Sequence, residues 1–383
     1  MDKHPLRRRV FLKKLTALGV LGFVFMSFAG QTDANPTEIR YLDTHSHLSA
    51  CPMQNSVDAA RAALEAQGIR RTLIMPTPHV NTTCDETALL AEIVNALPLQ
   101  FAFLAGISLN RIIQESRDNV TPEALAALEE AALVILRHGA VGFGEIAVEH
   151  FARGTPGQEY LSVPPDHPFM LRLADIAARY DVPIDIHMEV IPCVEVRTGK
   201  CGLPRPPDLG PDNPEFLGEN IAAFERLLKH NRKARIVWSH AGWDNTGYRT
   251  VELMRRLLAG NRNLSMNIKL RSNLANRPLD ADLKLTSEWL ALIRSFRGRF
   301  TIGTDFKYPD DNADIFAFTR SLLNQLPRGA GRRVGFSNAM RIYHLEQKLI
   351  CHKPGTGAEK TIWVDADAVA HHVQHGDRLG LCG

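Results

Sequence analysis

Short runs of branched and aromatic residues recur along this chain, and between them lie longer stretches whose apolar positions return every three or four residues. The runs fall at 39–44, 72–75, 101–105, 140–145, 183–187, 235–239, 264–269 and 300–304. Their length and their content of Ile, Val, Phe and Trp predict β-strands. The stretches 56–67, 86–96, 122–137, 170–180, 220–230, 248–258, 287–296 and 313–326 predict amphipathic helices, with Leu125, Leu128, Ala132 and Ile135 showing the spacing. Strand and helix alternating eight times predicts an α/β fold, the (β/α)8 TIM barrel, which needs about 250 residues. The segment 35–350 has room for it.

Polar positions break this pattern at the strand ends. His45 and His47, Glu145, His187, His240 and Asp305 close the first, fourth, fifth, sixth and eighth runs. Residues two apart on a strand share a face, so His45 and His47 can grip one ion together. Any one of these residues alone reads most simply as a satisfied core histidine or a surface acid. Five strand ends converging on the C-terminal face of a barrel read instead as a metal site, because that face is where barrels build active sites. A bound divalent ion lowers the pKa of its water to about 7 and polarises a substrate oxygen. Four imidazoles make zinc the first choice of ion, while the carboxylates also admit manganese or magnesium.

The order His-x-His, Glu, His, His, Asp over successive strands resembles the amidohydrolase superfamily. The segment 338–345 resembles the one that follows the last strand in its amidohydrolase-related branch. Glu145, between Gly144 and Ile146, is similar to the bridging Glu of the branch that holds metal-dependent deoxyribonucleases. The resemblance implies one or two ions per chain. If Glu145 bridges, His45, His47 and Asp305 hold one ion and His187 and His240 the other. If Glu145 only orients a neighbour, one ion sits on His45, His47, His187 and Asp305, and His240 is left as a catalytic acid or base. The binuclear arrangement is preferred here. In either case the resemblance makes Asp305 the group that takes a proton from water and hands it to the leaving group.

Other polar residues belong to the expected pocket. Lys269 and Arg271, at the end of the seventh run, are placed to hold a substrate carboxylate or phosphate, with a lysine snorkelling to the rim as the plainer reading. His79 and Trp243 are candidate substrate contacts, and Glu189 a candidate partner of His187. Cys84 has no Cys–His arrangement about it and reads as a plain thiol. The longest interruption of the pattern, 190–218, predicts a loop over the catalytic face that Cys193 and Cys201 can close with a disulfide.

The two ends of the chain differ from the middle. Arg7, Arg8 and Arg9, then Phe11, Leu12, Lys13 and an apolar run to Phe28, resemble a twin-arginine export signal over 1–34, with small residues around Ala29 and Ala34 as cleavage sites. The expected partners are therefore the twin-arginine export machinery and a small-molecule substrate, in a periplasmic or otherwise extracytoplasmic setting. Membrane contact is expected only through an uncleaved signal. The segment 351–383 resembles a short module found at the ends or between domains of bacterial extracytoplasmic proteins. Its Cys351 and Cys382 can form a disulfide, the preferred reading in an oxidising compartment, or join His352, His372 and His375 on a structural zinc.

Charge narrows the substrate. The chain carries +3 overall and residues 1–29 carry +5, so the remainder is at −2. No basic footprint for nucleic acid appears there, which argues against DNA. A composition of 45% hydrophobic and 23% charged residues fits an ordinary globular enzyme. The expected activity is hydrolysis of a small ester, lactone, amide or phosphoester. Its alternatives are a metal-dependent decarboxylase and a non-catalytic envelope binding protein.

Overall fold

Eight parallel strands follow one another around a ring in the predicted order. A computed structural model describes residues 39–48, 54–79, 86–154, 158–271, 275–309 and 311–382. Its ring strands are β1 (Tyr41–Leu48), β2 (Ile69–Met75), β3 (Phe101–Phe103), β4 (Phe143–His150), β5 (Pro183–Met188), β6 (Arg235–Ala241), β7 (Leu264–Ile268) and β8 (Phe300–Ile302). They pair in the order β3-β2-β1-β8-β7-β6-β5-β4. The ring closes between β3 and β4, where Ala105 bridges Phe143 and the amides of Val141 and Gly144 donate to the carbonyls of Phe103 and Ala105 at 2.9 and 3.1 Å. This is the (β/α)8 barrel. The export signal expected over 1–34 and Cys84 lie outside the described residues. Among those residues, no helix is long and apolar enough to cross a membrane.

The helices around the ring are α1 (Gln54–Ala66), α2 (Glu86–Ala96), α3 (Ile107–Ser116), α4 (Pro122–Arg137), α5 (Pro168–Tyr180), α6 (Ile221–His230), α7 (Val251–Gly260), α8 (Ser287–Ser295) and α9 (Asp314–Gln325). Their starts are set by local chemistry. Thr121 and Thr250 accept from the amides of Ala124 and Leu253, and Pro122 takes the first helical position of α4, where no amide is needed. The buried stripe of α4 is Leu128, Ala132, Ile135 and Leu136. Each such Leu or Ile contributes roughly 1.5–3 kcal/mol on leaving water. These stripes pack on the outer faces of the strands, around Tyr41, Phe101, Phe143, Trp238 and Phe300.

A second core fills the ring from one end. Leu42, Leu73, Leu104 and Val237 meet Ala339, Ile342, Tyr343 and Leu345, from the segment after α9 whose resemblance is noted above. Arg235, the first residue of β6, donates to the carbonyls of Arg341 and Ile342 at 3.1 and 3.0 Å, and Arg71 donates to that of Leu345 at 2.9 Å. The plug therefore sits at the N-terminal ends of the strands. The opposite end is left for the polar residues.

The two additions to the barrel are both cross-linked. The insertion folds into an antiparallel sheet of Glu195–Arg197, Lys200–Pro204 and Phe216–Gly218, with Cys193 bonded to Cys201 across a Cα separation of 5.0 Å. At the C-terminus, the strands Gln347–His352, Lys360–Asp365 and Arg378–Leu379 form a small antiparallel sheet beside the short helix Val369–Gln374. Cys351 is bonded to Cys382, with Cα atoms 4.7 Å apart, so neither is a zinc ligand. His352 and His372 each donate from Nδ1 to Asp377 Oδ2 at 2.8 Å instead, and His375 packs against His371. Trp363 ties this sheet to the barrel by donating to the Tyr180 carbonyl at 2.9 Å and stacking on His344.

Candidate metal centre

All six predicted ligands meet at the C-terminal ends of the strands. β1 extends four residues past its expected end, to Leu48, so His45 and His47 lie within the strand and are anchored by it. His47 donates from Nδ1 to the Met75 carbonyl at 3.0 Å, which turns Nε2 towards Asp305 Oδ1 at 2.8 Å. His45 has Nδ1 at 3.1 Å from Asp185 Oδ1, and its Nε2 lies 3.7 Å from both Glu145 Oε2 and Asp305 Oδ1. That Nε2 is fully buried and has no hydrogen-bond partner among the described residues. An imidazole fixed through one nitrogen, with the other aimed bare into a carboxylate cluster, is the arrangement of a metal-ligating histidine.

Glu145 lies between two histidine pairs. Its Oε1 is 2.6 Å from His187 Nδ1 and 3.0 Å from His240 Nε2, while its Oε2 is 3.6 Å from His47 Nε2 and 3.7 Å from His45 Nε2. Ligand atoms of His45, His47 and Glu145 lie within 4.8 Å of one another, as do those of Glu145, His187 and His240. Two adjoining donor sets thus share one carboxylate, one oxygen facing each. The residues present fit a divalent-metal centre.

Electrostatics agree with that donor set. Burial opposes charging Glu145, yet His45 and His187 beside it hold its pKa well below the usual carboxylate range. Burial likewise opposes charge on Asp305, and the Lys269 ammonium overrides it. His45 is the counterpart: burial pulls its pKa down, but Asp185 and Glu145 lift it well above the ordinary imidazole value. The centre therefore draws in positive charge, whether a proton or a metal cation. Burial, with Lys269 nearby, keeps His240 well below the usual value and hence neutral, as a ligand must be.

The backbone brings these groups together at some conformational cost. His240 and Asp305 both adopt left-handed conformations, with φ of 66° and 55°. Outliers of this kind cost about 1–3 kcal/mol and persist where the surroundings hold them in place. The Asp305 amide donates to the His45 carbonyl at 2.7 Å, and Asp43 accepts from Thr304, which pins the turn that presents Asp305. Gly303 allows the close approach, since a Cβ there would stand 2.7 Å from Asn267 Cγ. Gly144 does the same beside Asp185.

Beneath the ligands lies a buried network that sequence reasoning did not assign. Asp185 faces His45 and accepts from Ser239 Oγ and from Asn267 Nδ2 at 3.0 Å, while Asn267 Oδ1 accepts the His240 amide at 2.8 Å. The signal was present, because Asp185 stands two residues before His187 on one strand and shares its face. Asn110, on α3, donates to the Glu145 carbonyl at 2.7 Å and accepts the Ala147 amide at 3.0 Å, clamping the backbone around the shared carboxylate. Asp185→Asn is expected to weaken metal affinity about 10- to 100-fold with the fold kept. Metal titration followed by inductively coupled plasma analysis checks this, and unchanged affinity removes Asp185 from the support of His45.

A cavity of about 230 Å³ opens above the ligands. His79, Trp243, Lys269 and Arg271 all line it, as expected. Lys269 is paired with Asp305 and lies 3.6 Å from the centre of the Trp243 ring, and Arg271 is paired with Asp311 at 2.8 Å. Both predicted anion holders thus already have an acidic partner. Glu189 is buried 3.6 Å from His187 Nε2 and accepts from Asn245, which makes it a neighbour of the site and not a surface acid. His150, Arg153 and Lys307 also line the cavity and were missed, since none belongs to a motif: His150 ends β4, Arg153 follows it, and Lys307 lies in a short strand, Phe306–Tyr308.

No family model matches this chain, and no curated protein matches it. Among solved structures, an uncharacterised TIM-barrel protein from Bordetella bronchiseptica is similar with a TM-score of 0.52 and 16% identity, over 80% of this chain and 98% of that one. A zinc-bound amidohydrolase from Burkholderia multivorans gives 0.46 and 15%, over 79% of this chain and 99% of that one. A TatD homologue from Escherichia coli K12 gives 0.46 and 13%, over 80% and 98%. The first likeness establishes the barrel fold.

Proposed function

We propose that this chain is a metal-dependent hydrolase of small molecules, in keeping with the amidohydrolase-like order of its ligands. The observation that carries the reading is Glu145, whose two oxygens face separate histidine pairs with Asp305 alongside. His45, His47, Glu145 and Asp305 would hold one divalent ion, and Glu145, His187 and His240 the other, with zinc favoured by four imidazoles. Bound ions supply Lewis acidity at the centre and lower the pKa of water there to about 7.

The chain's own groups do the rest. Asp305 is held ionised at the cavity floor, so it can accept a proton from water and return it to a leaving ester, amide or phosphoester oxygen or nitrogen. Lys269, bonded to the other oxygen of Asp305, keeps that carboxylate oriented. His240 faces Glu145 and is buried neutral, the form a ligand needs; of the two roles in the one-ion arrangement, this counts against the acid and is compatible with the base. The cavity volume admits a small substrate or one end of a larger one.

Metal analysis of purified protein is the test. Two zinc equivalents are expected, together with hydrolysis of some member of a lactone, ester, amide and phosphoester panel that chelation abolishes and zinc restores. Carbon dioxide release from an aromatic acid, with one ion bound, would favour a decarboxylase. A chain that takes up no ion and melts unchanged in chelator is not this enzyme. Export by the twin-arginine route belongs to the same proposal. It rests on Arg7, Arg8, Arg9 and the run that follows, and on two disulfides of a kind typical of oxidising compartments. Translocation of a reporter fused to residues 1–38 checks it.

A further inference from the structure

We infer that the substrate carries an oxyanion, a carboxylate or a phosphate, held between Arg153 and Lys307 at the mouth of the cavity. The inference rests on the hydrolase reading for the chemistry at the floor, but its own argument is the charge of the walls. Four fixed cations line this cavity: Arg153, Lys269, Arg271 and Lys307. Two of them are compensated, Lys269 by Asp305 and Arg271 by both oxygens of Asp311, at 2.8 and 3.0 Å. Among the described residues, Arg153 and Lys307 form no ion pair, and the one acid whose pKa Arg153 helps to lower, the buried Glu189, already accepts from Asn245.

The two come from separate parts of the fold. Arg153 lies just beyond β4, with its guanidinium over the Trp243 ring at 4.9 Å, a contact that limits where the fork can point. Lys307 lies in the short strand Phe306–Tyr308 beside β1, and its amide donates to Asp311 Oδ2 at 3.2 Å. Asp311 is already taken by Arg271, so among the described residues the Lys307 ammonium has no acid of its own. Like charges brought to one small cavity repel each other, and an anion entering between them removes that repulsion. Arg supplies a planar fork suited to two oxygens of a carboxylate or phosphate, and Lys a point charge on a flexible stem. Trp243, packed by Arg153 and by Lys269, offers a flat wall for the remainder of the molecule.

The experiment separates charge recognition from chemistry. Glutarate and inorganic phosphate are titrated by calorimetry into chelator-treated full-length protein at low salt, so that no ion competes for the anion, with glutaramide as the neutral control. One of the two anions is expected to bind, and to bind at least tenfold more weakly in Arg153→Gln and in Lys307→Met. Which anion binds decides between carboxylate and phosphate. In zinc-loaded enzyme, the kcat/KM ratio of p-nitrophenyl hemiglutarate over its methyl ester is expected to fall tenfold or more in each variant. Equal binding by wild type and both variants, or glutaramide binding as well as glutarate, overturns the inference. Anion binding by a chain that takes up no metal would leave this inference standing and remove the hydrolase reading; metal uptake with hydrolysis that ignores charge would do the reverse.

Discussion

Asp305→Asn is expected to lower kcat/KM about a thousandfold or more at saturating zinc, in line with the 10²–10⁴ range of general acid–base catalysis plus the loss of an anionic ligand. Asn matches the shape and tolerates the left-handed backbone at this position, so the turn from Gly303 is kept. What disappears is the charge. The amide cannot accept a proton from water, and it leaves Lys269 buried beside Trp243 without its acid. Breaking a buried pair costs about 3–5 kcal/mol when the remaining charge stays, and less once the lysine sheds its proton. The melting temperature is therefore expected to fall while the transition stays cooperative. Steady-state kinetics and circular dichroism on the same preparation read both effects. Activity within tenfold of wild type would take the proton-accepting role away from Asp305.

Glu145→Gln is expected to reduce bound zinc from two equivalents to one or fewer, with kcat/KM reduced by a further large factor, about a thousandfold when a bridging charge is lost from between two cations. The side chain keeps its volume, but only one of its two termini remains an oxygen. Whichever way the amide turns, its NH2 faces either the His45 and His47 pair or the His187 and His240 pair, and a cation on that side meets a donor. Equilibrium dialysis with metal analysis measures the stoichiometry directly. Two equivalents and full turnover in this variant would mean that Glu145 merely orients His187, and the one-ion arrangement would take its place.

Much of this is legible in the sequence, and the reason is periodicity. Each of the eight predicted runs overlaps a ring strand, because strands buried on both faces are short, branched and bounded by polar breaks. The six candidate ligands can be picked out because barrel geometry assigns a common end to residues that lie far apart in sequence. The helix Ile107–Ser116 was not predicted. Gly106 starts it without a side-chain cap, and buried Asn110 interrupts the apolar stripe of Leu109 and Ile113. The feature that hid the helix is the one that holds the Glu145 backbone. Arg153 and Lys307 escaped for a different reason: whether a cation is free or paired depends on Asp305 and Asp311, whose positions only the fold supplies. Lys269 and Arg271 were the obvious candidates for the same cause, since the sequence does not show that each already has a partner.

The left-handed turns at His240 and Asp305 also constrain how a lineage carrying this protein can drift. Most replacements there meet backbone strain of roughly 1–2 kcal/mol before any chemistry is considered, and β-branched residues fare worst. Asn and Gly enter that region most cheaply. A descendant that abandoned catalysis while keeping the barrel would be expected to show those two residues at 240 and 305, so their occurrence in related chains would mark inactive scaffolds more reliably than overall identity.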